Sequence, residues 1–222
     1  MIEFEHSEVW GWEHAIRGMR NPLNSWDKSD SCFNYDIETT TAGDEEPQYM
    51  HIDATIGYND LNLMRRLIHA GSSHRKFLRQ IFVSVDITAP RYWWAEFDTY
   101  KVGTTANSCS TMHKITAKEF ELDDFSHEHL CAQSLKVLDN VIDTLNIERN
   151  NFLQCKDKWC WWQLIQLLPQ SYNQRRTVTL TYENLLNMVS QRRGHKLDEW
   201  HDFCDWVFTL PYAEELLREG LK

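Results

Sequence analysis

Two segments of this 222-residue chain concentrate side chains that could hold an anion. Residues 98–113 read Asp-Thr-Tyr-Lys-Val-Gly-Thr-Thr-Ala-Asn-Ser-Cys-Ser-Thr-Met-His, a run of small hydroxyl residues around one glycine and one lysine. Such a run is too polar for a core, and its backbone N–H groups and hydroxyls are what phosphate oxygens accept from. Residues 174–196 carry five cations (Arg175, Arg176, Arg192, Arg193, Lys196) against one acid, Glu183, in a chain whose formal charge is −10. A small basic island in an acidic protein suits a small anionic ligand, such as a nucleotide. A nucleic-acid polymer would need many phosphate contacts to bind. Each segment also has an ordinary reading: hydroxyls favour turns for local reasons, and Arg192 and Arg193 complement the dipole at a helix end.

Other constellations carry less. No Gly-x-Gly-x-x-Gly, Gly-x4-Gly-Lys-Ser/Thr or Gly-x-Ser-x-Gly occurs, which removes the simple dinucleotide, P-loop and serine-hydrolase readings. Cys155-x4-Cys160 with His127 and His129 lacks the tight Cys pairs of structural zinc, so no metal is expected. The adjacent carboxylates Glu45-Glu46 and Asp123-Asp124 read as solvated or helix-capping groups. Trp93, Trp94, Trp161 and Trp162 read as core or interface residues.

The elements that must position these residues follow from composition and periodicity. A content of 42% hydrophobic and 13% aromatic residues supports a full core, and the length suits one large domain over residues 1–222. The opening residues lack a basic, then apolar, secretory pattern, and charges or amides interrupt every apolar run before membrane-span length. A soluble, cytoplasmic protein is expected, with its six scattered cysteines reduced and several of them in the core.

Residues 2–12 read as a strand and 14–19 as a short helix stopped by Asn21-Pro22. A polar stretch over 24–48 predicts a surface excursion. Asn59 is placed to cap a helix through Leu61, Met64, Leu67 and Ile68 that Gly71 ends. Residues 80–87 alternate as a central strand, and Pro90 opens a helix with Trp93 and Phe97 one turn apart. Residues 130–147 and 159–168 form two amphipathic helices, the second stopped by Pro169. A strand over 177–181, a helix over 182–193 and an aromatic helix over 200–210 complete an α+β chain.

This order of pieces resembles the flavin-dependent thymidylate synthase family, ThyX. The family's signature Arg-His-Arg-x7-Ser, continued as Ser-x-Asn-Glu-x-Ser-x-Arg-Tyr, falls on Tyr100-Lys101-Val102-x7-Ser110. Thr105, Asn107 and Ser110 match the family's Ser, Asn and Ser, and Arg192 and Glu199 match a downstream Arg and Glu. His74 falls where the family often has a His. The chain departs at the triplet, at Ser108 in place of Glu, and at Met112-His113 in place of Arg-Tyr. The resemblance spans roughly residues 74–199.

It implies a ThyX-like fold with a mostly antiparallel central sheet, a homotetramer with sites between subunits, and no side-chain nucleophile. Ser108, Ser110, Lys101, Arg176 and Arg192 would bind the pyrimidine nucleotide dUMP. His74, Tyr100, Lys101, Thr105, Asn107 and His195 would hold FAD. Methylenetetrahydrofolate would supply the one-carbon unit and NADPH the reducing power, leaving the protein to orient them and place positive charge. Lys101, Arg175 and Arg176 would replace the lost cations, although lysine lacks the bidentate fork of arginine. A non-catalytic nucleotide- or flavin-binding protein on the same fold is the alternative. An unrelated structural or interaction protein is a third reading.

Overall fold

A computed structural model of the chain describes residues 2–37 and 50–221. Its elements run β1 (Glu3–Trp10), α1 (Trp12–Arg20), β2 (Cys32–Ile37), β3 (Met50–Thr55), α2 (Tyr58–His69), β4 (Phe82–Pro90), α3 (Arg91–Phe97), β5 (Thr105–Ser108) and α4 (Thr111–Lys114). They continue with α5 (Ala132–Cys155), α6 (Lys158–Leu167), β6 (Asn173–Thr181), α7 (Tyr182–Arg192), α8 (Asp198–Thr209) and α9 (Ala213–Leu217). The fold class is α+β, as the sequence predicts. An antiparallel sheet of order β1-β4-β6-β5 is flanked in the chain by helices, and β2 pairs with β3 in a separate antiparallel ribbon. No helix among the described residues is long and apolar enough to cross a membrane.

In β4 the two-residue period of a strand is explicit: Val83, Val85, Ile87 and Ala89 are fully buried, while Ser84, Asp86 and Thr88 are half-buried. The chain divides into two compact units, and β1, β4 and β6 each contribute residues to both.

The first unit comprises Met1–Ser7, Val85–Thr179 and His195–Phe203. Pro90 sets the extended entry to α3, which buries Trp93, Trp94 and Phe97. Trp93 packs on Trp200 of α8 at 4.8 Å between ring centroids and on Phe97 at 5.2 Å. A second cluster gathers Phe120, Phe125, Leu164 and Leu168 around Leu138, Ile142 and Leu145 of α5. Those three α5 positions recur at helical spacing, so one stripe of the 24-residue helix is core.

The second unit comprises Glu8–Ser84, Leu180–Gly194 and Cys204–Lys222. Helix α1 begins after Gly11, whose φ of +93° and lack of a side chain are both required: a Cβ there would stand 2.1 Å from the Gln80 carbonyl oxygen. Trp12 then meets Tyr182 and Tyr212 edge-on at 5.3 and 5.4 Å. Thr181 and Asn184 form a reciprocal capping box at the start of α7, and Arg75 grips Glu183 in its first turn with Nε and Nη2 at 3.0 and 3.2 Å.

Several expectations need correction. Asn59 does not cap α2. The cap position is Gly57, and the carboxylate of Asp30 does the capping from a distant loop by accepting from the backbone N–H groups of Asn59 and Asp60 at 2.9 and 3.1 Å. Gly57 is needed because a Cβ would lie 2.3 Å from Asp30. The polar excursion contains a strand, β2, and a one-turn helix at Trp26–Lys28; its residues 38–48 lie outside the described residues. Polar loop 98–113 likewise contains β5 and α4. Of the six free cysteines only Cys204 is buried, so the idea of several in the core fails. Asp124 is a capping group as expected, accepting from the Glu121 N–H at 3.0 Å. Glu45 and Glu46 lie outside the described residues.

Candidate functional site

Strand β5 is the sheet's edge, and all four of its residues are exposed. It pairs antiparallel with β6: Thr105 opposite Thr179, Ala106 opposite Val178, Asn107 opposite Thr177 and Ser108 opposite Arg176. Residues directly opposite share a face and neighbours alternate, so the ladder sorts the candidates into two sets. Thr105, Asn107, Arg175 and Thr177 occupy one face; Ala106, Ser108 and Arg176 occupy the other.

The Arg175 face is closed by ion pairing. Arg175 meets Asp86 at 2.8 Å and Glu5 at 2.7 Å, and Thr177 donates to Asp86 at 2.5 Å. The Arg175 guanidinium, with the Thr177 hydroxyl and His6, holds the Asp86 carboxyl down at about 2.

On the other face, Tyr100, Lys101, Phe97, Asp98, Thr104 and Ala106 line an open cavity of roughly 300 Å³. Arg176 stands at its margin, paired with Asp98 at 2.8 Å, its guanidinium 4.2 Å over the ring centroid of Trp94 and its Nε donating to the Gln174 side chain at 3.1 Å. The sequence spells a seat for an arginine, although not which arginine fills it. Trp94 and Asp98 stand four residues apart on α3 and its C-cap, which aligns an aromatic face and a carboxylate on one side of a helix. Lys101 is exposed and forms no ion pair among the described residues.

Ser110 caps α4, its hydroxyl accepting from the His113 N–H at 3.2 Å. The Tyr100 ring lies 6.1 Å and the His195 ring 6.3 Å from Trp200, which gathers these two around one buried indole. Glu199, matched by resemblance, is buried in α8 and accepts from the Tyr92 hydroxyl. Burial and that carboxylate raise the Tyr92 phenol above its ordinary range. Tyr92 and Trp200 carry no motif signal, since each matters only through tertiary packing.

The structure thus places Tyr100 and Lys101 on one cavity, pairs Arg176 with Asp98 of its lining, puts Ser108 on the strand face of Ala106, and leaves Thr105 and Asn107 on the opposite face. His74 and Arg192 belong to the second unit: His74 is exposed beside a cavity of roughly 240 Å³ with Ser73, Lys76 and Gln80, and Arg192 ends α7. His127 and His129 are engaged elsewhere, the first with the Phe125 carbonyl at 2.7 Å and the second with Asp198 at 3.3 Å.

Two crystal structures of thymidylate synthase X, ThyX, from Helicobacter pylori, both with FAD and dUMP, superpose on this chain. TM-scores are 0.66 and 0.65 at 18% identity, covering 100% of this chain and 98% and 99% of theirs. This is the ThyX fold. No family model and no curated protein matches the sequence. The likeness therefore lives in the arrangement of elements, at 18% identity.

The donor set decides what this version of the ThyX fold can hold. One uncommitted ammonium, Lys101, beside hydroxyls and an aromatic wall suits a single phosphate group with a ring against Tyr100 or Phe97. Arg175 and Arg176 add little to this set while their carboxylates stay in place, and Thr105 and Asn107 lie on the opposite strand face.

Proposed function

We propose that this chain is a divergent flavin-dependent thymidylate synthase-like enzyme that binds dUMP and transfers a one-carbon group to C5 of the pyrimidine. Support comes from the full-length match to a fold whose Helicobacter pylori examples hold FAD and dUMP. Lys101, Ser108, Ser110, Arg176 and Arg192 would take the nucleotide; His74, Tyr100, Lys101, Thr105, Asn107 and His195 would hold FAD. Flavin held there and reduced by NADPH would supply the hydride, and methylenetetrahydrofolate the one-carbon unit. The chain's own part is to fix the phosphate with Lys101, to stack the base against an aromatic wall, and to keep positive charge near the developing negative charge on the uracil. The whole chain acts as one ThyX-like domain in a cytoplasmic homotetramer.

One observation favours a second reading, a nucleotide-binding protein without catalysis: Arg175 and Arg176 are neutralised by Asp86, Glu5 and Asp98. The absorbance spectrum of the purified protein separates the two. A flavin band, with loss of the C5 hydrogen of dUMP to solvent on adding the other substrates, is the outcome for the enzyme. A colourless protein whose melting temperature rises with dUMP supports the second reading, and no response to any nucleotide removes both. Arg192→Ala and Lys101→Gln are each expected to weaken dUMP binding by at least about 1 kcal/mol. Calorimetry showing unchanged affinity removes that residue from the site.

A further inference from the structure

Cys155 ends α5 and Cys160 lies in the first turn of α6. Between them Lys156 takes the left-handed conformation at φ 55°, and Asp157 caps α6 through the Trp159 N–H at 2.9 Å. This tight reversal brings the two sulfurs to 3.7 Å, a contact that side-chain rotation can shorten to the roughly 2.0 Å of a disulfide. Cys155 is exposed and Cys160 half-buried. The backbone N–H of Asp157 donates to the Cys155 sulfur at 3.3 Å, a bond that strengthens when that sulfur is a thiolate. Accessibility and this donor make Cys155 the attacking thiol and Cys160 the resolving one. Cys32, Cys109 and Cys131 are also exposed, but none of them has a second thiol as hydrogen-bond partner among the described residues.

We propose that Cys155 and Cys160 are a reversible dithiol–disulfide couple whose oxidant is a low-molecular-weight disulfide such as glutathione disulfide. The Cys155 thiolate attacks one sulfur of glutathione disulfide; the S–S bond breaks and one glutathione thiolate leaves and takes a proton. Cys160 loses its proton to solvent and attacks Cys155 Sγ, displacing the second glutathione. Two electrons pass from the dithiol to glutathione disulfide, giving one protein disulfide and two glutathiones. Closure staples the corner between α5 and α6. Trp161, next to Cys160, donates from Nε1 to the Met112 carbonyl at 3.2 Å, so the stapled corner bears directly on the end of the polar segment 98–113. The couple is independent of what that segment binds.

The full chain is incubated folded with glutathione disulfide, quenched by alkylation, and read by intact mass and peptide mapping. The expected product has lost two hydrogens, links Cys155 to Cys160, and returns to the starting mass with dithiothreitol. Cys160→Ser should instead stop as a glutathione adduct on Cys155, and Cys155→Ser should not form the disulfide. The proposal is overturned if the wild type accumulates that adduct with Cys160 still alkylatable, or if Cys155 and Cys160 are both alkylated while Cys32, Cys109 or Cys131 has reacted.

Discussion

Arg20 meets Asp60 at 2.6 Å with side chains 4% and 0% exposed, whereas Arg176 meets Asp98 at 2.8 Å with the carboxylate 53% exposed. The pairs are chemically alike and differ in what water can reach. Asp60 also accepts from the hydroxyls of Ser29 and Ser31 and from the backbone N–H groups of Asp30 and Ser31, and Arg20 reaches the Ser25 and Lys28 carbonyls, both at 3.0 Å. Each of these partners loses a bond when the charge it meets leaves, so together the two charges fix the loop that delivers Asp30 to the start of α2. Arg176 is held by one carboxylate at the surface, by an indole face and by a glutamine, and can exchange the carboxylate for another anion. Burial turns one ion pair into scaffold; exposure leaves the other available to a ligand.

The largest effect should follow from breaking the buried pair. Asp60→Asn leaves Arg20 charged and uncompensated, and is expected to cost about 3–5 kcal/mol of stability. Urea unfolding reads this, and a loss below about 1 kcal/mol would mean that the loop simply rearranges around the change. Acidity makes the same point with the native residue. Burial alone would raise the Asp60 carboxyl, but the hydrogen bonds from Ser31, Ser29, Arg20 and Asp30 together outweigh it and hold the group below its ordinary value. A carboxyl depressed in the folded state contributes fully above the ordinary carboxylate range and loses that contribution as pH falls through its folded value. Acid unfolding of the wild type should be steep there, and shallower in Asp60→Asn.

The exposed pair is tested in the opposite direction. Asp98→Asn removes the competitor for the Arg176 guanidinium without moving Trp94, and should tighten dUMP binding by about 1 kcal/mol, roughly fivefold. A calorimetric titration in which Asp98→Asn and wild type bind alike would show that Arg176 takes no part in holding the phosphate. Little change in stability should accompany the substitution, since exposed pairs contribute about 0–1 kcal/mol.

What the sequence disclosed follows the same division between local and tertiary causes. The period-two burial of β4, the Pro90 entry to α3, the Pro169 stop and the Gly71 end of α2 are each decided within a few residues, and each is found where the pattern put it. The order of these elements carried the ThyX resemblance, which the full-length superposition bears out at the level of fold. The Asp30 cap on α2 was invisible because the accepting carboxylate lies about thirty residues from the helix it serves. Strand β5 was hidden because a four-residue edge strand of Thr-Ala-Asn-Ser has weak propensity and is held by its ladder to β6. At the candidate site the residue types were legible but their faces were not: nothing in the spelling of Arg175-Arg176 says that one arginine belongs to Asp86 and its neighbour to Asp98.

That adjacency allows the smallest and sharpest test. Asp86 lies 19% exposed beside an Arg175 that is 39% exposed, so water screens much of the attraction. The Arg175, Thr177 and His6 side chains hold its carboxyl at about 2. With the folded value depressed, the contribution is whole at neutral pH and fades only between the ordinary carboxylate value and about 2. Asp86→Asn should therefore cost no more than about 1 kcal/mol at neutral pH and nothing at the acid end of that window. Because Arg175 faces away from the cavity beside Lys101, freeing it should leave dUMP affinity unchanged where Asp98→Asn raises it. If Asp86→Asn tightens dUMP binding as much as Asp98→Asn does, the ligand senses general positive charge at this edge of the sheet, and the division of the two arginines between its faces has no functional meaning.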